Sequence, residues 1–225
     1  MKIIKQTWNF EDTIYSEVIY EKIESAGRTC WRSESKGDPK TFVKMLIAKG
    51  HESVLEHVNL TIRIITDRGM SHLIVRHRIA SYSQESTQFC NYSKERFGND
   101  IFFILPVQYY PLFEETNDGI AFKQFLSESP LKNRALLWWG LCRLSEQTYF
   151  GMIEQGATPQ EARSSLITSV KTELICSMNL RSWRHFFKLR TSKADQLQIQ
   201  ELAGSMLKEF KNILPSVFED INIDE

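Results

Sequence analysis

An excess of charge of either sign is missing. The 225 residues carry 28 Lys plus Arg and 28 Asp plus Glu, a formal net charge of zero. A protein that coats a long polyanion normally carries a basic excess, so a simple nucleic-acid coat or a polybasic membrane protein is not expected. Clustered cysteines are missing too. The four stand at positions 30, 90, 142 and 176, with no CxxC and no zinc-knuckle spacing, and are too sparse for a disulfide scaffold. The longest apolar stretches, such as 101–107, fall far short of the roughly 20 residues of a membrane span. The opening MKIIKQTWNFED has no apolar core, so no signal peptide is expected. There is no Gly-rich phosphate loop, no repeat and no linker rich in Gly, Ser or Pro. What remains is 42% apolar and 25% charged, an ordinary globular composition on a chain long enough to bury a core. The plain expectation from these features is a cytoplasmic protein with reduced thiols.

The apolar pattern predicts both helices and strands. Ile14, Val18, Ile19 and Ile23 recur at helical spacing from Asp12 to about Ala26, with Gly27 as a stop. Asp38 and Pro39 suit the N-cap and first turn of a second helix bearing Phe42, Met45 and Leu46 and ending at Gly50. Val58, Leu60, Ile62 and Ile64 alternate with polar residues, as in a half-buried strand. Gly69 should break that strand and Ser71 should cap a short helix into Arg76. Positions 81–99 read as a polar loop, 101–107 as a strand, and Asn117 to Pro130 as an irregular insertion. Leu131 to Gln155 should be a long helix in which Trp138 and Trp139 pack. Thr158-Pro159-Gln160-Glu161 forms a capping box, and Asp195 should cap a last amphipathic helix through Leu202, Met206, Phe210 and Ile213. One α+β domain over 1–225 fits this order.

Three stretches could carry chemistry. In Arg76-His77-Arg78 two guanidiniums flank an imidazole, followed by the hydroxyls and amide of positions 81–86. Planar, fixed donors suit a phosphate or a carbonyl-rich ring, while a solvated basic turn is the plainer reading. His51, Glu52, Glu56 and His57 tempt a metal reading, but histidines six apart do not share a helical face, so no metal is expected. Packing of His51 and Ser53 against a polar group fits better. From Arg163 to Arg190 the chain gathers Arg163, Lys171, Arg181, Arg184, Lys188 and Arg190 against the single acid Glu173. Trp183, Phe186 and Phe187 interleave with them, which suits a nucleotide or oligonucleotide, or equally a cationic stripe over core aromatics. No His-Asp partner for Ser81 or Ser83 can be named, so a hydrolase triad is unsupported.

Together and in order, these stretches resemble the flavin-dependent thymidylate synthases. The family signature is Arg-His-Arg, seven residues, then Ser, and Arg76-His77-Arg78 to Ser86 matches it. Gly50-His51-Glu52-Ser53 to Glu56-His57 is similar to the family's flavin-contacting segment. Asn179-Leu180-Arg181 with Arg184-His185-Phe186-Phe187 to Leu189-Arg190 resembles its C-terminal block, and Gly27-Arg28-Thr29-Cys30 is also familiar.

The resemblance implies a mixed sheet flanked by helices and a homotetramer whose active sites are shared between subunits. It implies conversion of dUMP to dTMP, with methylenetetrahydrofolate as carbon donor, NADPH as reductant and FAD as hydride carrier. By that similarity His51, Ser53, Arg76, His77, Arg78, Gln84, Asn179, Leu180, Arg181 and His185 would contact flavin. Leu73, Ile74, Val75, Arg76, Gln84, Glu85, Ser86, Thr87, Gln88, Arg163 and Arg190 would line the dUMP pocket. Arg190 would be the catalytic, activating residue, with Ser86 as a binding hydroxyl. Three positions depart from the usual pattern: Gln88 stands where Arg is common, Gln84 where Glu is common and Leu73 where Gln is common. Another pyrimidine nucleotide, UMP or dCMP, or a weakly active paralogue is therefore an alternative. A non-enzymatic nucleic-acid-binding module using the basic, aromatic block is the alternative of another class. No nucleic-acid or membrane partner is expected on the first reading.

Overall fold

The computed structural model describes residues 1–35, 37–94, 98–116, 119–123 and 128–223. In chain order the strands and helices are β1 (Lys2–Ile4), β2 (Thr7–Phe10), α1 (Ser16–Trp31), α2 (Pro39–Ala48), β3 (Asn59–Asp67), α3 (Arg68–Ile74), β4 (Ser81–Gln84) and β5 (Phe102–Ile104). Then follow β6 (Phe113–Thr116), β7 (Gly119–Phe122), α4 (Pro130–Glu154), α5 (Pro159–Ala162), β8 (Lys171–Asn179), α6 (Leu180–Arg190), α7 (Leu197–Ile213) and α8 (Pro215–Phe218). The class is α+β, as expected. No helix among the described residues is long and apolar enough to cross a membrane. The chain gathers into two compact units, and β3 and β8 contribute residues to both.

The first unit comprises Met1–Thr7, Ile64–Ile74 and Ser83–Leu174. Here β1 pairs in parallel with β5, and β6 and β7 form an antiparallel hairpin from Phe113↔Phe122 to Thr116↔Gly119. That hairpin occupies part of the segment expected to be irregular; positions 117, 118 and 124–127 lie outside the described residues. The core gathers Ile3, Ile101, Phe103 and Leu105 against Ala135, Cys142 and Tyr149 of α4. Trp138 is a packing residue, as expected, and its Nε1 donates to Ser169 Oγ at 3.0 Å. Both halves of the Thr158–Glu161 capping box form. The predicted start of α3 is corrected: Asp67 Oδ1 accepts from Met70 N, while Ser71 lies inside the helix and donates to Arg68 O.

The second unit comprises Trp8–Arg63, Val75–Tyr82 and Ile175–Glu225 and holds part of each strand of the sheet ordered β2-β3-β8-β4. Leu60 and Ile62 of β3 and Cys176 and Met178 of β8 are buried at alternate positions. β4 replaces the start of the expected 81–99 loop. Asp38 caps α2 by accepting from Thr41 N at 3.0 Å, as its sequence predicts. Gly27 does not stop α1, which runs on to Arg32 in the left-handed region (φ 47°). The role of Gly27 is close approach: a Cβ there would sit 2.8 Å from Leu46 Cδ1 and 3.0 Å from Phe42 Cε1 of α2. Trp183, Phe186 and Phe187 of α6 are fully buried; Trp183 and Phe187 meet Phe210 of α7, Phe187 also meets Phe218 of α8, and Phe186 packs edge-on against both Trp183 and Phe187. Trp183 satisfies its one donor on Leu60 O. These aromatics are therefore core and offer no stacking surface to a ligand. Asp195 does not cap α7; the flanking residue is Gln196, which makes no side-chain cap.

Candidate functional site

The apolar stripe of α6 decides which cations become available. With Trp183, Phe186 and Phe187 turned into the core, Arg181, His185, Lys188 and Leu189 fall on the exposed side. Asn179 starts the helix by accepting from Ser182 N at 2.8 Å. The segment 75–82 faces this side of α6, and Tyr82 holds it in place by donating from its hydroxyl to His77 O at 2.8 Å. Between them lies a cleft of about 670 Å³ within the second unit. Six cations line it (Arg76, Arg78, Arg181, Arg184, Lys188 and Arg190) against two acids, Glu52 and Glu56. The zero net charge of the chain hides this local excess.

The lining cations differ in their tasks. Arg184 is 1% exposed and is structural. It donates twice to Asp220 at 2.7 Å, once to Glu52 at 3.1 Å and once to Val217 O. Arg181 pairs with Glu56 at 2.6 Å, and Lys188 lies 3.9 Å from Glu52. Arg76 and Arg78 are exposed and have no hydrogen-bond or ion-pair partner among the described residues. Ile79, 75% exposed, and Leu189 add apolar surface beside them.

The buried centre of the cleft is a three-residue chain. Arg190, 8% exposed, donates from Nε to His77 Nε2 at 3.0 Å and from Nη1 to Asp195 Oδ2 at 2.7 Å. Burial, with Arg190 and then His185 nearby, pushes the His77 pKa down to about 4, against a partial upward pull from Asp195. The imidazole is therefore neutral at physiological pH. Since Nε2 accepts, its proton sits on Nδ1. The His185 ring stands edge-on to His77 at 5.8 Å.

This cleft gathers Arg76, His77, Arg78, Asn179, Arg181, His185 and Arg190 from the sequence-predicted set. It does not gather His51, Ser53, Val75 or Leu180. His51 and Ser53 lie exposed at the 3-10 turn Glu52–His57, and Leu180 is fully buried with its N–H donating to Val58 O. Sequence reasoning missed the roles of Glu52, Glu56 and Asp195, whose partners lie on other elements or beyond a turn. No group of metal-ligating residues forms among the described residues.

The remaining predicted residues belong to the first unit. Leu73 is half-buried and Ile74 buried in α3. Gln84 donates its amide to Ser71 Oγ at 2.9 Å and to Thr172 Oγ1 at 3.0 Å. Glu85 pairs with Lys171 at 2.8 Å and accepts from Tyr92 Oη at 3.2 Å. Ser86 Oγ accepts from Gln88 N, Thr87 is half-buried, and Gln88 Nε2 donates to Gln160 Oε1 at 3.3 Å. Arg163 is exposed at the end of α5.

An α+β protein with two exposed guanidiniums, unpaired among the described residues, beside a cleft with a buried arginine at its centre offers fixed planar donors of the kind that bind anionic groups. Comparison with known proteins narrows this class. Residues 15–216 match the family model described as thymidylate synthase complementing protein. The chain is 31% identical over 210 residues to a flavin-dependent thymidylate synthase of Mycobacterium avium, covering 89% of this chain and 79% of that one. It is 30% identical over 187 residues to a protein of the same name from Geobacter sulfurreducens, covering 83% and 71%. The chain belongs to the flavin-dependent thymidylate synthase family.

Proposed function

We propose that this protein methylates dUMP to dTMP, taking the carbon from methylenetetrahydrofolate and electrons from NADPH through bound FAD. The observation that carries the reading is the meeting of Arg76, Arg78 and Arg190 on one cleft in a chain of this family. The donor set suits the cofactor. Arg76 and Arg78 offer guanidiniums to a diphosphate, and His185, Ile79 and Leu189 offer flat or apolar surface to rings. Bound flavin supplies reversible storage of a hydride. The chain's own residues would bind and polarise. Arg190, at the uracil edge, would stabilise negative charge at N3 and so raise electron density at C5, the carbon that gains the methylene and loses its proton. A guanidinium stays protonated, so this role is electrostatic and not that of a general base. His77, neutral, would hold the guanidinium by accepting from Nε.

The finer assignments belong to the same reading. They comprise flavin contacts by His51, Ser53, Gln84 and Leu180, and nucleotide contacts by Leu73 to Arg76, Gln84 to Gln88 and Arg163. They also comprise a homotetramer with shared sites, a single domain over 1–225 and a cytoplasmic location. The family match spans residues of both compact units, which supports treating them as one catalytic domain. A second reading concerns the nucleotide. The side-chain amides of Gln84 and Gln88 are engaged within the chain, where the family pattern has charged side chains, which favours testing UMP and dCMP beside dUMP. The direct test of cofactor binding is an absorption spectrum. Protein mixed with FAD and passed through a desalting column should stay yellow; colourless protein that instead binds oligonucleotides in a salt-sensitive way would support the nucleic-acid module.

A further inference from the structure

We propose that Asp195 is a positioning residue that fixes the plane of the Arg190 guanidinium, an assignment that rests on reading Arg190 as the group facing the nucleotide. Asp195 lies in the turn between α6 and α7, where its N–H donates to Ser192 O at 3.0 Å and its carbonyl accepts from Gln200 Nε2. Its carboxylate is divided between two tasks. Oδ1 accepts from Gln196 N at 2.8 Å, and Oδ2 accepts from Arg190 Nη1 at 2.7 Å. Because Oδ1 is tied to the backbone, Oδ2 cannot follow the guanidinium if it turns.

On the other side of the same group, Nε donates to His77 Nε2. Contacts at two different nitrogens, to two partners on different segments, define a plane. Because the guanidinium is a rigid plane, turning it about Cδ–Nε would carry Nη1 away from Asp195 and swing the Nε–H away from His77. The pair is sheltered from water, with the side chains 10% and 15% exposed, so the charge-assisted bond is little screened.

A carboxylate so close also cancels part of the arginine's field. Charge and position therefore predict opposite effects in Asp195→Asn, which keeps the shape and removes the charge. A purely electrostatic brake would release the arginine, and both binding and turnover would improve. A positioning residue would leave nucleotide binding near wild type and slow the chemical step.

The test uses flavin-loaded full-length protein, wild type, Asp195→Asn and Asp195→Glu. Steady-state kinetics with dUMP should show kcat lowered about 10- to 100-fold in Asp195→Asn with KM within about threefold. Asp195→Glu, which keeps the charge on an arm longer by one methylene, should fall between the two. In parallel, phenylglyoxal should modify Arg190 about tenfold faster in Asp195→Asn than in wild type, read by peptide mass spectrometry, since a charged hydrogen bond that shields the guanidinium is lost. Unchanged or raised kcat, or unchanged Arg190 reactivity, would overturn the assignment. So would failure of Asp195→Asn to fold beside a fully active Asp195→Glu. Were the wild type inert towards dUMP, the functional reading would fall, and Arg190 reactivity alone would still decide whether Asp195 holds it.

Discussion

Arg190 Nε donates to His77 Nε2 at 3.0 Å, so the middle residue of Arg76-His77-Arg78 serves as an acceptor for an arginine 113 positions away. Its two neighbours in the tripeptide, Arg76 and Arg78, are exposed cations without an ion-pair partner among the described residues, while His77 is buried. The alternation follows from the chain's return path, pinned where Tyr82 donates to His77 O. An imidazolium at position 77 would lose this bond and would place two positive groups in contact.

Stability should therefore depend on pH through His77. Its folded pKa of about 4 lies below the ordinary 6.5. Between these values the unfolded chain binds a proton that the folded chain does not, so stability rises with pH across the window. The contribution is complete above pH 6.5 and is lost as pH falls towards 4, on the order of 3 kcal/mol in all. Urea unfolding at a series of pH values should show this slope, and His77→Gln should flatten it.

Asp220 should make a second, more acidic contribution. Its carboxylate faces the buried Arg184, which holds its pKa below the ordinary 3.8. That stability is present above the unfolded value and disappears as pH falls through the depressed folded value. The Asp220 side chain is 49% exposed, so water screens the pair, and Asp220→Asn should cost about 1 kcal/mol at neutral pH, Glu52 remaining as a partner, and remove part of the acid limb of the stability curve.

Arg76 and Arg78 have no hydrogen-bond or ion-pair partner to lose among the described residues. Arg76→Ala and Arg78→Ala should leave the melting temperature nearly unchanged. Each should weaken FAD binding by about 10- to 100-fold, the worth of a charge-assisted hydrogen bond, as measured by quenching of flavin fluorescence. Equal flavin affinity in both variants would move the cofactor away from this cleft.

Gly27→Ala tests the packing of α1 on α2. Helix propensity alone predicts a gain from Gly to Ala, whereas the 2.8 Å approach to Leu46 predicts a loss. The contact should win, at about 1–3 kcal/mol of destabilisation by thermal or urea unfolding.

Local signals were legible and tertiary ones were not. The Thr158–Glu161 box and the Asp38 cap are complete within four residues, so spacing alone reveals them. The alternation of β3 is equally local. β4 escaped because Ser81, Tyr82, Ser83 and Gln84 are all polar and carry no period-two apolar signal. β8 does alternate, with Thr172, Leu174, Cys176 and Met178 buried, but its flanking cations drew the reading towards a binding surface. At the site, the signature residues stand out by type and order. Glu52 is drawn in by Arg184 from 132 positions away. Asp195 looks like a helix cap until the end of α6 turns Arg190 towards it. The aromatics of α6 illustrate the limit of composition: stacking rings and core rings share one sequence pattern, and packing against Phe210 and Phe218 decides between them.

The central claim is that Arg190 activates C5 of a pyrimidine nucleotide, and release of tritium from C5-labelled dUMP tests it most directly. FAD-loaded protein should release tritium when NADPH and methylenetetrahydrofolate are both present, and Arg190→Ala should abolish release while keeping its flavin absorbance. A yellow wild-type protein that releases no tritium, or an Arg190→Ala variant that releases it at the wild-type rate, would contradict the account.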